Sequence, residues 1–339
     1  MAMTDLIIPS YKNKKGLYET LMSIGLTENV NVIIVDDCSG EDYSDIIEIF
    51  SHFFTIRVFK TSKNGGPGIA RQFGLDHSFN EYVVFIDCGD VFTSPGSLKM
   101  MIEEMDAHPE FNFISFAHHE ERNDGVHYTP PVHNRIHGKI YRRNFLSKYN
   151  IRFNTDTPRA NEDIGFNMNC RLIISQLEKD NPGDVFAGHS DIASVIWRNS
   201  LNSITRQNDC AFYYKEQNQG LAHGAGFAIT NALNHGVSEE ICDDLRHDVL
   251  CALYFFYIST LNRRPEFAEE SLDGCYYFYK NFIKPQGALD MDLLKHYYFN
   301  NLIDVLEEGD PYRDAINPLT IHNFIMILDE QCEKELNQC

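Results

Sequence analysis

Between residues 5 and 119, short apolar runs alternate with segments whose apolar residues recur at helical spacing. In the segment 14–26, for example, Leu17, Leu21 and Ile24 follow one another at intervals of four and three positions, which is the period of an amphipathic helix. Strands that alternate with helices predict an α/β fold, with a mostly parallel sheet and helices on both faces. The apolar runs of strand length are 5–11, 30–39, 55–61, 81–87 and 111–119.

The pattern changes near residue 208 and becomes helical. Amphipathic segments cover 239–264, 267–283, 291–308 and 319–336. We therefore predict two domains, an α/β domain over 1–207 and a helical C-terminal domain over 208–339. The sequence leaves three roles open for the helical domain: binding of an acceptor, formation of a homodimer, and approach to a membrane.

Polar residues follow three of the predicted strands where each strand ends. In a parallel sheet, ligands bind beyond the carboxyl ends of the strands. Acids that converge there suit a hard divalent cation, Mn²⁺ or Mg²⁺, which would bridge to a diphosphate. Acids that only cap turns are the alternative interpretation. The residues at these ends are Pro9 and Tyr11, Asp36 and Asp37, and Asp87 and Asp90.

The composition of the chain limits the classes of molecule that we expect it to bind. The formal net charge of -20 over 339 residues disfavours nonspecific attraction to nucleic acid or anionic membranes. An anionic substrate would then need a cation to screen the acids. No apolar run reaches transmembrane length, and the N-terminal residues lack the pattern of a signal peptide. Nine cysteines without a CxxC pair predict free thiols in the cytoplasm.

The segment NGGPGIAR at 64–71 imitates a dinucleotide-binding loop. Arg71 stands where the third glycine of that fingerprint belongs, and the loop follows the third strand instead of the first. We therefore favour a different use. Gly65 and Gly66 would let the backbone approach a ligand, and Arg71 would offer that ligand a planar cation.

Seven collinear segments resemble one known family, the inverting family-two glycosyltransferases of the GT-A fold. The resemblance extends over about residues 3–207, and the residues from 208 to 339 match nothing that we can place. The segments are LIIPSYKNKKGLYETLMSI (6–24), VIIVDDCSGEDYSDII (32–47), SKNGGPGIARQFGL (62–75), YVVFIDCGDVFTSPGSL (82–98), HGKIYRRNFLSKYNIRF (137–153), NEDIGFNMNC (161–170) and WRNSLNSITR (197–206).

The resemblance implies a site for a nucleoside diphosphate sugar. Pro9 and Tyr11 would form one wall of the pocket for uracil or another base. Asp37 would hydrogen-bond the base or the ribose, with Asp36 supporting the loop. Arg71 would help to fix the nucleotide.

The resemblance also implies a metal site, and here the sequence departs from the family. The usual motif is Asp-x-Asp-Asp, whereas this chain has Gly89 at the third position. Asp87 would meet the ribose or the metal, and Asp90 would help to hold the metal. With one acid missing, His189 or solvent would complete the coordination shell. A loop histidine without a ligand role is the alternative interpretation of His189.

Catalysis would fall to the acid pair of the segment NED. Asp163 would be the general base and Glu162 would shape the acceptor site. Arg198 and Arg206 would contact the diphosphate once a loop closes over it. An acidic helix N-terminus without catalytic function is the alternative interpretation of this pair, because acids are common in the first turn of helices.

The sequence thus predicts a metal-dependent hexosyl- or pentosyltransferase that uses an NDP-sugar, with a UDP-sugar as the expected donor. The expected acceptor is a glycan hydroxyl. A protein hydroxyl or a hydroxymethylated DNA base would use the same chemistry, although the charge of -20 disfavours DNA. A nucleotidyltransferase and a non-catalytic sugar-nucleotide binder remain as alternatives.

Overall fold

A computed structural model describes residues 3–132, 134–157, 159–199, 211–287 and 318–336. The strands are β1 (Thr4–Ser10), β2 (Val30–Asp36), β3 (Thr55–Lys60), β4 (Tyr82–Phe85), β5 (Val91–Phe92), β6 (Phe113–Arg122), β7 (Gly125–Thr129), β8 (Lys139–Arg142) and β9 (Ala187–Trp197). The α-helices are α1 (Lys14–Ser23), α2 (Ser44–Phe50), α3 (Pro67–Asp76), α4 (Ser97–Ala107), α5 (Arg143–Lys148), α6 (Glu162–Asp180), α7 (Ala211–Asn234), α8 (Glu239–Arg263), α9 (Ala268–Phe278) and α10 (Pro318–Leu336).

The described strands form one sheet in the order β3-β2-β1-β4-β8-β6-β9-β5, and β7 pairs with β6. The strands from β3 to β4 are parallel, as the alternation of strands and helices predicts. Beyond β4 the sheet is mixed, because β8 runs antiparallel to both of its neighbours. The parallel part brings the carboxyl ends of β1, β2 and β4 to one edge, where the predicted ligand site lies.

Successive residues of the central strands fill two separate cores. Ile7 and Val83 belong to the core that also contains side chains of α3 and α6. Leu6 and Val84 belong to the opposite core, against α1, α2 and α4. This alternation is the two-residue period of a strand that is buried on both faces. The α/β class with helices on both faces is therefore confirmed.

The C-terminal helices continue the first of these cores. Helices α7 to α10 contribute apolar side chains to the cluster that contains Ile7 and Phe166. The backbones of α6 and α7 touch, because a Cβ added to Gly165 would lie 2.7 Å from the Cα of Gly224. A larger residue at position 165 would push the two helices apart, whereas a Cβ at position 224 would lie 3.4 Å from the Gly165 Cα, an ordinary contact.

The helices predicted at 239–264, 267–283 and 319–336 are present, whereas the segment 291–308 lies outside the described residues. The two-domain division stays a prediction. In the part of the chain that the structure describes, we find no helix that combines the length and the apolar content needed to cross a membrane.

Candidate functional site

Asp37 anchors the glycine-rich loop. Its buried carboxylate accepts hydrogen bonds from the Gly66 amide at 2.7 Å, the Gly65 amide at 2.9 and 3.1 Å, and the Thr61 hydroxyl at 2.9 Å. Both carboxylate oxygens are used, and Gly66 has a φ of 93°, a conformation that glycine adopts without strain. The acid at this strand end therefore fixes the loop backbone. Its contact with the base or the ribose stays a prediction.

The other predicted nucleotide residues lie near the same edge. Asp36 is buried and accepts from the Ser39 amide at 2.9 Å, so it holds the turn after β2. Pro9 lies within β1, opposite Val35. Tyr11 follows the strand and is 43% exposed. The edge thus presents a tyrosine ring that a nucleobase can reach.

The turn from Asp87 to Asp90 is held by two residues from the start of the chain. Thr20 accepts from the Gly89 amide at 3.0 Å and donates to the Asp90 carbonyl at 2.7 Å. Asn13 donates to the Cys88 carbonyl at 3.0 Å. Gly89 has a φ of 108°, which side-chain-bearing residues rarely adopt. The departure from the family's acidic motif therefore coincides with a backbone conformation that requires glycine.

Two acids of the predicted metal set share this turn. The Asp87 side chain is 41% exposed. Asp90 is buried and accepts from the Arg198 amide at 3.0 Å. Among the described residues, no group of three His, Cys, Asp or Glu side chains could hold a metal ion. The turn from Asp87 to Asp90 thus offers two carboxylates, one exposed and one buried.

His189 is not brought to this turn. Strand β9 pairs Ile196 with Val91, next to Asp90, whereas His189 pairs with Ser115 seven positions earlier. At about 3.3 Å per residue, seven positions of extended strand separate the two points by roughly 20 Å. The expectation that His189 completes the coordination shell of Asp87 and Asp90 is therefore not supported by the geometry.

Arg71 bridges two acids instead of standing open to a ligand. Its buried guanidinium donates to Asp87 at 2.6 Å and forms a close ion pair with Glu162. Burial alone would lower the pKa of Arg71, but the charges of Asp87 and Glu162 outweigh burial and raise it. We expected the Arg71 guanidinium to contact the nucleotide, but the carboxylates of Asp87 and Glu162 bind it instead.

The acid pair lies at the N-terminus of α6. Burial raises the pKa of Glu162, and the Arg71 guanidinium opposes that rise. Asp163 accepts from the Ile136 amide at 3.3 Å. Because Arg71 contacts both Asp87 and Glu162, the predicted metal turn and the predicted catalytic pair lie at one site.

The two predicted arginines that follow β9 differ in what the structure describes. The Arg198 guanidinium contacts Glu19 at 2.5 Å and Glu121 at 3.8 Å. It is thus engaged by acids from α1 and β6, and a move to a diphosphate would require these contacts to change. Arg206 lies outside the described residues.

Lys139 was not predicted as a site residue. It is 1% exposed, and its ammonium donates to the carbonyls of Val132, at 2.7 Å, and of Arg135. Burial lowers the pKa of Lys139 to about 7, and the charge of Asp163 opposes this shift. The sequence signal that could have identified Lys139 is its position in HGKIY, where it directly precedes the apolar residues Ile140 and Tyr141.

Buried rings lie beside this lysine. The His137 ring stacks on Trp197 with ring centroids 5.4 Å apart, and the His118 ring lies 4.4 Å from His137. Burial lowers the pKa of His118 to about 4, so this imidazole is neutral at physiological pH. At the end of a predicted strand, His118 has two interpretations from the sequence, a contact with the acceptor or product and a surface histidine. Its ring is buried, so the surface interpretation is wrong.

Comparisons with known sequences place the first part of the chain in a family. Residues 5–164 match the family model Glycosyl transferase family 2. An uncharacterized glycosyltransferase of Haemophilus influenzae is 31% identical over 134 residues, which cover 38% of this chain and 44% of that protein. The poly(ribitol-phosphate) beta-N-acetylglucosaminyltransferase TarS of Staphylococcus aureus is 29% identical over 113 residues, which cover 32% of this chain and 20% of TarS. The chain thus matches less than half the length of these curated relatives.

Solved structures share the fold. S. aureus TarS 1-349 in complex with UDP-GlcNAc gives a TM-score of 0.58 at 18% identity, over 99% of this chain and 92% of that chain. The mannosyltransferase PcManGT from Pyrobaculum calidifontis, in complex with GDP-Man and Mn²⁺, gives 0.51 at 13% identity, over 96% and 85%. The predicted GT-A type of fold with a helical C-terminal region is confirmed. Residues 5–164, slightly less than half of the chain, are thus similar to the glycosyltransferases of family 2.

Proposed function

We propose that the chain is a metal-dependent inverting glycosyltransferase that moves a sugar from a UDP-sugar to a hydroxyl of a glycan. The observation that carries this proposal is the contact of Arg71 with both Asp87 and Glu162, which joins the acid after β4 to the acid pair that opens α6. The UDP-GlcNAc bound to TarS supports the choice of donor, and the Mn²⁺ bound to PcManGT supports a divalent cation.

Asp87 and Asp90 would hold the cation. Mg²⁺ is typically held by one or two carboxylates together with substrate phosphates and water, so a set of two acids is sufficient. The exposure of the Asp87 side chain, 41%, leaves room for such a ligand. When bound, the cation would stabilise the negative charge that develops on the leaving diphosphate.

The nucleotide would lie along the edge formed by β1, β2 and the glycine-rich loop. Tyr11 offers an exposed ring to the base. The backbone of Gly65 and Gly66, held in place by Asp37, allows a close approach of the ribose. Arg71 would act on the nucleotide through Asp87, because its guanidinium is occupied by the two acids.

Asp163 would remove the proton from the acceptor hydroxyl as that oxygen attacks the anomeric carbon. One base and one displacement from the opposite face invert the configuration. The Ile136 amide holds one oxygen of Asp163, which supports this role because a general base must be held within reach of the proton that it removes. Glu162, fixed by Arg71, would shape the acceptor side.

For the acceptor and the partners of the chain, we keep the expectations drawn from the sequence. A glycan is the favoured acceptor, and a protein hydroxyl or a hydroxymethylated DNA base would meet the same base. The charge of -20 argues against DNA because like charges repel. Acceptor binding or homodimerisation by the C-terminal helices, and a cytoplasmic location, are proposals of the same kind.

A donor screen tests the function. The chain would be incubated with UDP-, GDP- and dTDP-sugars, with Mn²⁺, with Mg²⁺ or with a chelator, and nucleotide release would be measured. Slow release of UDP from one sugar, dependent on the cation, is the expected result. Release of pyrophosphate would indicate a nucleotidyltransferase, and binding without turnover would indicate a non-catalytic binder. With an acceptor in hand, the NMR coupling of the anomeric proton in the product would establish inversion.

A further inference from the structure

Lys139 is a cation inside the sheet. It belongs to β8, between β4 and β6, and is 1% exposed. An ammonium without partners in such a place would cost several kcal/mol. Two backbone carbonyls, those of Val132 and Arg135, accept its hydrogen bonds. The ammonium therefore ties down Val132 and, through Arg135, the segment 134–136, which precedes β8.

The same segment contacts the predicted base. The residue after Arg135 is Ile136, and its amide donates to the Asp163 carboxylate at 3.3 Å. The charge of Asp163 is also the strongest influence that favours the ammonium form of Lys139. Lys139 thus acts on Asp163 through the backbone that it holds.

The segment also reaches the metal side of the site. The Arg135 guanidinium lies 4.5 Å from the centroid of the Trp197 ring, and the His137 ring stacks on Trp197. Arg198, the next residue, donates its amide to Asp90 at 3.0 Å. The segment 134–136 is therefore linked by a direct contact to the predicted base and, through Trp197, to one of the predicted metal acids.

We propose that Lys139 is a positioning residue for glycosyl transfer, which holds the segment 134–136 through the Arg135 carbonyl so that the Ile136 amide fixes the Asp163 carboxylate. Lys139 does not contact the substrates in this role. The proposal rests on the function proposed above, in which Asp163 is the general base. A purely structural lysine would support folding and leave the geometry at Asp163 unaffected.

The test compares two variants that each remove a buried cation. Lys139→Met removes the ammonium, and Arg246→Met removes a guanidinium of α8 that is 3% exposed and pairs with Glu239 and Asp243. For Lys139→Met, kcat for UDP-GlcNAc or for the best donor of the screen should fall about 10- to 100-fold, because small displacements of a catalytic group have effects of this size. KM for the donor and the Kd for UDP should change by less than about twofold. Arg246→Met should retain the wild-type kcat.

Trp197 provides a second measurement that does not depend on turnover. It is the chain's one tryptophan and stacks against His137, so its emission reports the position of the segment. Lys139→Met should change the emission spectrum in the folded protein, and Arg246→Met should not. If the wild type turns over no donor while this change appears, the proposed function fails and the tie between Lys139 and the segment stands.

Other outcomes overturn the proposal. Wild-type kcat in a folded Lys139→Met variant, or equal losses of kcat in both variants, would remove the positioning role. Should Lys139→Met not fold, Lys139→Gln is the second variant. Its side chain is one bond shorter than that of lysine and retains an N–H donor for the carbonyls. Lys139→Gln should then fold and show a reduced kcat with an unchanged Kd for UDP. If Lys139→Gln also does not fold, Lys139 serves folding and the positioning role is wrong.

Discussion

Arg71 and Glu162 form a buried ion pair that joins α3 to α6 across 91 positions of sequence. The pair places the start of α6 against the glycine-rich loop and against the acid that follows β4. Since a buried charge is tolerated only when it is paired, each of the two residues requires the other.

We predict that Arg71→Met destabilises the fold by about 3–5 kcal/mol, because it leaves Glu162 buried without its cation. The free energy of unfolding in urea measures this. Arg152→Met is the control, since it breaks an exposed pair with Asp76 at 3.1 Å and should cost at most about 1 kcal/mol. In a Glu162→Gln background, the loss from Arg71→Met should be smaller. Equal losses in both backgrounds would argue against the pairing.

Asp163→Asn should reduce kcat about 10²- to 10⁴-fold, because an amide cannot accept the proton of the acceptor hydroxyl. The Kd for UDP should stay within about twofold, and isothermal titration calorimetry measures it. Asp180→Asn makes the same chemical change at the other end of α6 and should leave kcat unaltered. Full activity of Asp163→Asn would exclude it as the base.

Asp90→Ala should weaken UDP binding about tenfold, or about 1.4 kcal/mol, when Mn²⁺ is present. In a chelator the variant and the wild type should bind UDP alike, because the acid acts through the cation. Asp124→Ala, in the loop between β6 and β7, is the matched control with no expected effect. A loss of the same size with and without Mn²⁺ would contradict a role in metal binding.

Gly89→Asp restores the family's acid but should destabilise the protein by about 1–3 kcal/mol, the cost of a strained backbone conformation. The strain follows from the φ of 108°, and the new Cβ would also lie 3.2 Å from the Asn13 side chain. Thermal denaturation measures the effect. Gly96→Ala, at a φ of -101° with no close neighbour, should be nearly neutral. A Gly89→Asp variant as stable as the wild type would show that the turn adapts.

The stability of the wild type should depend on the titration of Lys139. Burial lowers the pKa of Lys139 from 10.5 to about 7, so between these values the unfolded chain binds the additional proton. Stability contributed by this group therefore rises as the pH rises from about 7 toward 10.5. The Met variant lacks this dependence. Its stability relative to the wild type should be highest near pH 7 and fall as the pH rises, which urea denaturation at several pH values would show.

The sequence predicted those features that depend on local pattern. The buried strands and the acids at their ends follow from apolar runs that stop at Asp36, Asp37 and Asp87, and parallel strands bring such ends together. The pairing of Arg71 with Glu162, and the hold of Asp37 on Gly65 and Gly66, are contacts between distant segments. No periodicity encodes them, so both side chains were assigned to the ligand.

Two further differences between the prediction from sequence and the structure, at His189 and at Lys139, also have specific causes. β9, with the sequence AGHSDIASVIW, has no regular alternation of polar and apolar residues, and only its pairing with β5 and β6 reveals that His189 lies far from the turn that Ile196 reaches. The sequence pattern did not predict that Lys139 is buried. Its strand β8 lies between β4 and β6 in the sheet, a position that follows from pairing between distant segments.

The contact between the backbones of Gly165 and Gly224 limits how this protein can be divided into parts that fold by themselves. Helix α6 carries Asp163 in its first turn, and its outer side is sealed by α7 from the region beyond the family match. Cutting the chain near residue 207 would leave that side of α6 in water, with apolar surface exposed where helix once met helix. We therefore expect residues 1–207, expressed alone, to aggregate, and any swap of C-terminal helices between relatives to succeed only when the new helix brings a small residue to the position of Gly224.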